Sequence, residues 1–141
     1  MIRPIQLRDA ERISELLEQM GYPNTKSFMS SKISKLLKDE NGNSLVYEEN
    51  EKVLGFISMH FIPQIAVEGD FARISYLVVD ENIRGKNIGK KLPDYCEKLA
   101  VERDCNRIEL HSNFTREAAH RFYFREGYED VPKYLVKYLQ K

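Results

Sequence analysis

Residues 71–92 read Phe71-Ala72-Arg73-Ile74-Ser75-Tyr76-Leu77-Val78-Val79-Asp80-Glu81-Asn82-Ile83-Arg84-Gly85-Lys86-Asn87-Ile88-Gly89-Lys90-Lys91-Leu92. The part up to Val79 is rich in β-branched and aromatic residues and ends at a charged turn, as a strand does. From Ile88 an apolar repeat opens at Ile88, Leu92, Cys96 and Leu99, with Ala100 alongside, at helical spacing. Between them lies a short loop with Gly85, Gly89 and the cations Arg84, Lys86, Lys90 and Lys91.

A strand, a glycine loop and a helix start, in that order, make an anion site. The first turn of a helix has N–H groups without intrahelical partners, and the aligned peptide dipoles add roughly half a positive charge there. Glycines let the backbone approach a phosphate oxygen, and successive N–H groups then form a concave nest. The loop is therefore expected to hold a phosphate or pyrophosphate. It contains no G-x-x-x-x-G-K-[ST] and no G-x-G-x-x-G, so it is neither a P-loop nor a dinucleotide fingerprint. The competing account is a glycine turn that merely caps a surface helix.

With 141 residues the chain has the size of one domain, 1–141, able to bury a core. Acidic and basic residues balance at 22 each, which argues against a general nucleic-acid surface. Cys96 and Cys105 are too few for a disulfide framework and suit a reducing cytosol. The start lacks a signal-like apolar run, and no stretch approaches the ~18 apolar residues of a membrane span, so a soluble cytoplasmic protein is expected. His60, His111 and His120 are too scattered for a metal site.

Residues 2–7 read as a strand. Asp9 then caps a helix reaching Met20, with Ile13, Leu16, Leu17 and Met20 on one face. After Gly21-Tyr22-Pro23-Asn24, a second helix covers 25–38 with Phe28, Ile33, Leu36 and Leu37 inward. Strands 44–49 and 53–61 form a hairpin through Glu49-Asn50-Glu51-Lys52. Pro93 should remove the bond to Gly89 and kink the helix after the glycine loop. Strand 107–112 and helix 116–126 follow, the helix stopped by Gly127, and 134–139 closes as a last strand. The order predicts an α/β fold, a central mixed sheet flanked by about four helices.

The loop resembles the pyrophosphate loop of the GNAT superfamily of acetyl-CoA-dependent N-acyltransferases, [RQ]-x-x-G-x-[GA]. Arg84 and Gly89 fit its ends, and Asn87 stands at the middle glycine, where Asn tolerates a left-handed backbone. Leu77-Val78-Val79 resembles the family's fourth strand. A second run carries the resemblance further: Asn113 after the fifth strand, then a helix ending in Tyr123, Gly127 and Tyr128. The loop and the run 113–128 are similar to the aminoalkylphosphonate N-acetyltransferase branch. That branch carries an acid where this chain has Tyr76.

The resemblance implies transfer of an acetyl group from acetyl-CoA to a primary amine of a small molecule, with direct attack of the neutral amine in a ternary complex. Leu77, Val78, Val79, Arg84, Gly85, Lys86, Asn87, Ile88, Gly89, Lys90, Asn113 and Tyr123 are the implied cofactor-binding residues. Backbone N–H groups of Leu77 or Val78 would face the thioester oxygen if strand 4 splays from strand 5 at a bulge. Tyr123 is the expected proton donor to sulfur, since a phenol pKa of about 10 lies near that of a thiol at about 8.5. Its competing role is core aromatic beside Phe122 and Phe124. Tyr76 and Glu68 are candidate catalytic residues. The base stays open among Glu68, Asp70, Tyr76, His60, Glu109, His111 and an ordered water. Similar proteins dimerise through the last strand. An idle acyl-CoA-binding module and a protein-amine acetyltransferase are the alternatives.

Overall fold

The computed structural model describes residues 1–83, 85–110, 117–129 and 135–139, with backbone only for 117–120. Strand β1 (Ile2–Pro4) leads through a 3-10 turn (Leu7–Asp9) into helix α1 (Ala10–Gln19) and helix α2 (Lys26–Leu37). Strands β2 (Gly42–Glu49), β3 (Lys52–Ile62) and β4 (Phe71–Val79) follow, then α3 (Ile88–Glu102), β5 (Arg107–Leu110) and α4 (Glu117–Arg125). The sheet runs β1-β2-β3-β4-β5, antiparallel except for the parallel pair β4–β5 that α3 joins.

The expected mixed α/β sheet with a crossover helix is the one observed. Asn50 and Glu51 carry φ of 53° and 64°, so the β2–β3 hairpin closes on two left-handed residues, the turn whose twist suits paired strands. Two apolar layers cover the sheet. On one face Leu45, Ile57, Met59, Ala72 and Ile74 pack against Ile88, Leu92, Cys96 and Ala100 of α3. On the other, Val46, Phe56 and Val78 pack against Ile13, Leu16 and Leu17 of α1 and Met29 and Ile33 of α2.

Three local expectations are corrected. The Asp9 carboxylate makes no cap bond to α1; it accepts the Gln6 N–H at 2.8 Å and pairs with Arg3, closing the preceding turn instead. In α2 the inward residues are Met29 and Ile33, while Phe28 and Leu37 are exposed: Phe28 stands about 100° around the helix from Met29, and Leu37 is the last residue of the helix. Pro93 lies buried inside α3, which runs on to Glu102, and having no N–H it leaves the Gly89 carbonyl without that helical bond, as expected. Residues 135–139 are not strand, and Leu135, Val136, Tyr138 and Leu139 are exposed; Tyr134 lies outside the described residues.

Candidate functional site

Ser58 of β3 faces Tyr76 of β4, yet the next residue, Met59, faces Ile74. Ser75 is thus an extra residue, a β-bulge, and it inverts the side-chain alternation of β4. Before it Ala72 and Ile74 face α3; after it Leu77 and Val79 do, and Val78 faces α1. The described pairing of β4 with β5 ends at the same place, at Ile74 opposite Leu110. Beyond it β4 runs on to Val79, so the N–H and C=O groups of residues 76–79 that do not face β3 stand at the end of the described β4–β5 ladder.

Past Val79 the chain turns into the glycine loop. Gly85 has φ of 76°, and Asn87, at the N-cap of α3, sits at φ 54° and ψ 33°, both left-handed. An Asn costs less there than other side chains. The Asn87 carbonyl accepts the N–H groups of Lys90 and Lys91 at 3.1 and 2.9 Å, so helical bonding begins with them, and Ile88 and Gly89 stand in the turn that has no intrahelical acceptor. Among the described residues a Cβ on Gly89 would meet only Val79 Cγ2, at 3.9 Å, which leaves the space over this helix start open to them. Two left-handed residues, an open glycine and a free first turn together fit a diphosphate. Arg84 lies outside the described residues.

The loop cations are held in surface ion pairs. Lys86 Nζ lies 2.8 Å from Glu49 Oε1, and that bond raises the Lys86 pKa above its ordinary value. Lys90 Nζ reaches Glu126 Oε1 at 2.6 Å and Asp94 Oδ2 at 3.1 Å, linking the start of α3 to the end of α4. Lys91 sits over the Tyr47 ring at 5.5 Å. Exposed pairs of this kind exchange readily for a stronger anion.

Helix α4 ends as expected at Gly127, whose φ is 95°. The Tyr123 carbonyl accepts the N–H groups of Glu126 and Tyr128 at 3.0 and 3.1 Å. The Tyr123 ring meets Phe122 and Tyr128 edge-on, at 5.5 and 5.8 Å. The Tyr128 hydroxyl is buried without a hydrogen-bond partner among the described residues, and burial pushes its pKa up to about 12. Asn113 and His111 lie outside the described residues.

The sheet face opposite α3 carries polar groups at its β5 end. Tyr76 meets Tyr22, from the α1–α2 connection, edge-on at 5.7 Å. Farther along the same face, Arg73 and Arg107 both lie over the Phe71 ring, at 5.4 and 4.8 Å. They share one carboxylate: Arg107 Nε donates to Glu109 Oε2 at 2.9 Å and Arg73 Nη2 to Oε1 at 3.4 Å. Burial pushes the Glu109 pKa up, but the two guanidiniums outweigh it and hold the carboxyl below its ordinary range. Arg73 Nε is buried without a hydrogen-bond partner among the described residues. His60 faces Arg73 in register and lies 3.7 Å from Asp39.

The sequence-derived candidates therefore separate. Leu77, Val78 and Val79 follow the bulge, and Gly85, Lys86, Asn87, Ile88, Gly89 and Lys90 lie beyond the next turn, at the helix start. Tyr76 stands at the bulge. Glu68 does not join them: it is exposed in the loop before β4, and its neighbour Gly69 packs against Asp104 and Asn106 at the entry to β5, the far end of β4. Sequence reasoning passed over Gly55, Arg12, Gln19 and Tyr22. A glycine inside a strand is the available signal for the first, since it marks close approach of another element.

Comparison with known proteins places the chain among relatives. The family model described as "Acetyltransferase (GNAT) family" matches residues 10–128. The aminoalkylphosphonate N-acetyltransferase of Salmonella typhimurium is 36% identical over 93 residues, which cover 66% of this chain and 60% of that one, less than two thirds of the relative's length. A transcriptional regulator from Bacillus halodurans C-125 shares the fold with a TM-score of 0.89 and 22% identity, over 99% of each chain. A GNAT family acetyltransferase from Staphylococcus aureus matches with a TM-score of 0.82 at 21% identity, over 99% of this chain and 98% of that one.

Proposed function

Because the chain belongs to the GNAT acetyltransferase family, we propose that it transfers the acetyl group of acetyl-CoA to the primary amine of a small molecule, by direct attack in a ternary complex. The observation that carries this reading is continuity. The Ser75 bulge, the last described β4–β5 pair and the left-handed Asn87 cap follow one another along a single stretch of chain. A thioester and a diphosphate need that order of features.

Acetyl-CoA supplies the activated acyl group. The nest from Gly85 to Gly89 holds the diphosphate, with Arg84, Lys86 and Lys90 contributing charge and Asn113 meeting the pantetheine arm. N–H groups of Leu77 or Val78 lie along the thioester and hold its oxygen, donors that cost no reorganisation during the reaction. Holding both reactants in one cleft supplies several kcal/mol of the barrier as effective concentration, on the order of 7 in well-oriented cases. Tyr123 hands its phenolic proton to the departing sulfur. The amine loses its proton to a water-relayed base rather than to Glu109, whose lowered pKa makes it a weak acceptor near neutral pH.

Tyr76 and Tyr22 line the acceptor side. The Salmonella relative is named for aminoalkylphosphonates, and Arg73, with a donor unpaired among the described residues, favours an amine that carries an anionic group. A protein amine is the second acceptor class. The free Cys96 and Cys105 suit the cytoplasm, and no described helix is long and apolar enough to cross a membrane. A homodimer through residues 135–139 belongs to the same reading, supported by the exposure of Leu135, Val136, Tyr138 and Leu139. The test is release of free thiol from acetyl-CoA with a mixed set of amines, including aminoalkylphosphonates and their uncharged counterparts. Thiol release that depends on the amine supports transfer; binding of acetyl-CoA without turnover on any amine would make the protein an acyl-CoA-binding module.

A further inference from the structure

We propose that Asp80, held by Arg12 and Gln19 of α1, is the positioning residue that sets where the cofactor loop begins; the proposal rests on the acetyl-CoA reading above. Asp80 follows β4 directly and is 4% exposed. Its Oδ2 accepts a hydrogen bond from Arg12 Nη2 at 2.5 Å, and its Oδ1 accepts from the Asn82 N–H at 2.9 Å and from Gln19 Nε2 at 3.3 Å. Arg12 is anchored in turn, its Nε donating to the Val53 carbonyl of β3 at 2.8 Å.

The backbone donors show what this carboxylate does. The Asp80 N–H goes to the Leu54 carbonyl at 2.8 Å, and the Glu81 N–H to Gln19 Oε1 at 2.9 Å. The Asn82 N–H goes to the Asp80 side chain, and the Ile83 N–H to the Asp80 carbonyl at 3.1 Å. Every donor from Asp80 to Ile83 is consumed. Among the described residues the next left-handed backbone is at Gly85, two positions on. The turn is pinned up to Ile83, and the nest for the diphosphate begins beyond it. Asp80 and its partners are the boundary.

A purely structural account is weaker. A buried ion pair adds little net stability over well-packed apolar side chains, because desolvation offsets the attraction. What the pair does supply is one geometry. Arg12 and Gln19 stand two turns apart on the same face of α1 and grip the turn from both ends. Tyr22, just past α1, packs on Tyr76. One helix end therefore touches both the root of the cofactor loop and the acceptor side of β4.

The test uses Gln19→Leu and Arg12→Lys, milder changes than removal of Asp80. Acetyl-CoA binding is measured by calorimetry, with kcat and KM for both substrates and a thermal melt alongside. Loss of one or two hydrogen bonds at the loop root is expected to weaken acetyl-CoA binding about five- to tenfold in each variant. The kcat at saturating acetyl-CoA and the acceptor KM should change less than about twofold, with Tm lowered by no more than a few degrees. Wild-type affinity for acetyl-CoA in both folded variants, or a fall in kcat with affinity unchanged, overturns the positioning role. A wild-type protein that fails to bind acetyl-CoA overturns the functional reading and this role with it.

Discussion

Ile88, the first residue of α3, rests directly on Gly55 of β3: a methyl group on Gly55 would stand 3.0 Å from Ile88 Cγ2 and 2.9 Å from the Val78 carbonyl oxygen. The start of α3 reaches this depth because position 55 has no side chain. Ile88 is thereby buried in the layer with Leu92 and Ile57. The height of the glycine loop above the sheet follows from that contact.

Gly55→Ala should therefore act at two levels. The added methyl meets backbone that cannot step aside, an overpacking that costs about 1–3 kcal/mol. A thermal melt should show a Tm lowered by several degrees. Acetyl-CoA affinity should fall as well, since the helix start must lift. An unchanged Tm would mean that the approach of α3 to β3 is looser than described.

Tyr123→Phe should lower kcat by about 10²–10⁴, the usual contribution of a positioned acid, while acetyl-CoA affinity stays near wild type. Steady-state kinetics with a binding titration separates the two. A large loss of affinity at unchanged kcat would put Tyr123 among the binding residues, and no change in either would leave it as packing against Phe122 and Tyr128.

Acid should destabilise the fold through two buried carboxylates. Burial pushes the Asp9 pKa up, but bonds from Arg3 and the Gln6 N–H outweigh it, and the net value lies below the ordinary range. Asp80 behaves likewise, with burial offset by the Asn82 N–H, Arg12 and Gln19. A carboxyl whose pKa is lower folded than unfolded stabilises the fold above its unfolded pKa, about 3.9. That contribution is lost as pH falls through the folded value. Tm should drop from about pH 4 downward, and less steeply in Asp80→Asn. A Tm–pH curve of equal slope in the wild type and Asp80→Asn would contradict the assignment for Asp80.

Cys96 should be inert in the folded protein. It is buried in the α3 layer, and burial pushes its pKa up to about 12, so almost no thiolate exists at neutral pH. Titration with a chromogenic disulfide should show Cys96 reacting only on unfolding. Rapid modification of Cys96 in the native state would contradict its burial in the α3 layer.

Much of the fold was legible because its signals are local. The hairpin at Asn50-Glu51, the apolar repeat of α3 and the Gly127 stop each depend on a few neighbouring residues. The glycine loop was legible for the same reason: left-handed Gly85 and Asn87 are residue types that tolerate that backbone. The Ser75 bulge was expected only as a condition, because register depends on which strand lies alongside and not on the bulged residue. Arg12, Gln19 and Asp80 meet across 61 to 68 residues of chain. No periodicity announces such a contact. In α2, Phe28 and Leu37 read as part of the inner stripe, whereas the sheet covers the middle of the helix at Met29 and Ile33 and leaves its last residue outside.

Titration of acetyl-CoA into the wild-type protein and Gly89→Asp tests the account most directly. Among the described residues the nearest atom to a Cβ on Gly89 is Val79 Cγ2 at 3.9 Å, so the substitution should leave the fold intact. It adds a carboxylate where a diphosphate must approach, and affinity should fall by about tenfold or more, most strongly at low salt. A folded Gly89→Asp variant that binds acetyl-CoA as tightly as the wild type would contradict the assignment of this loop.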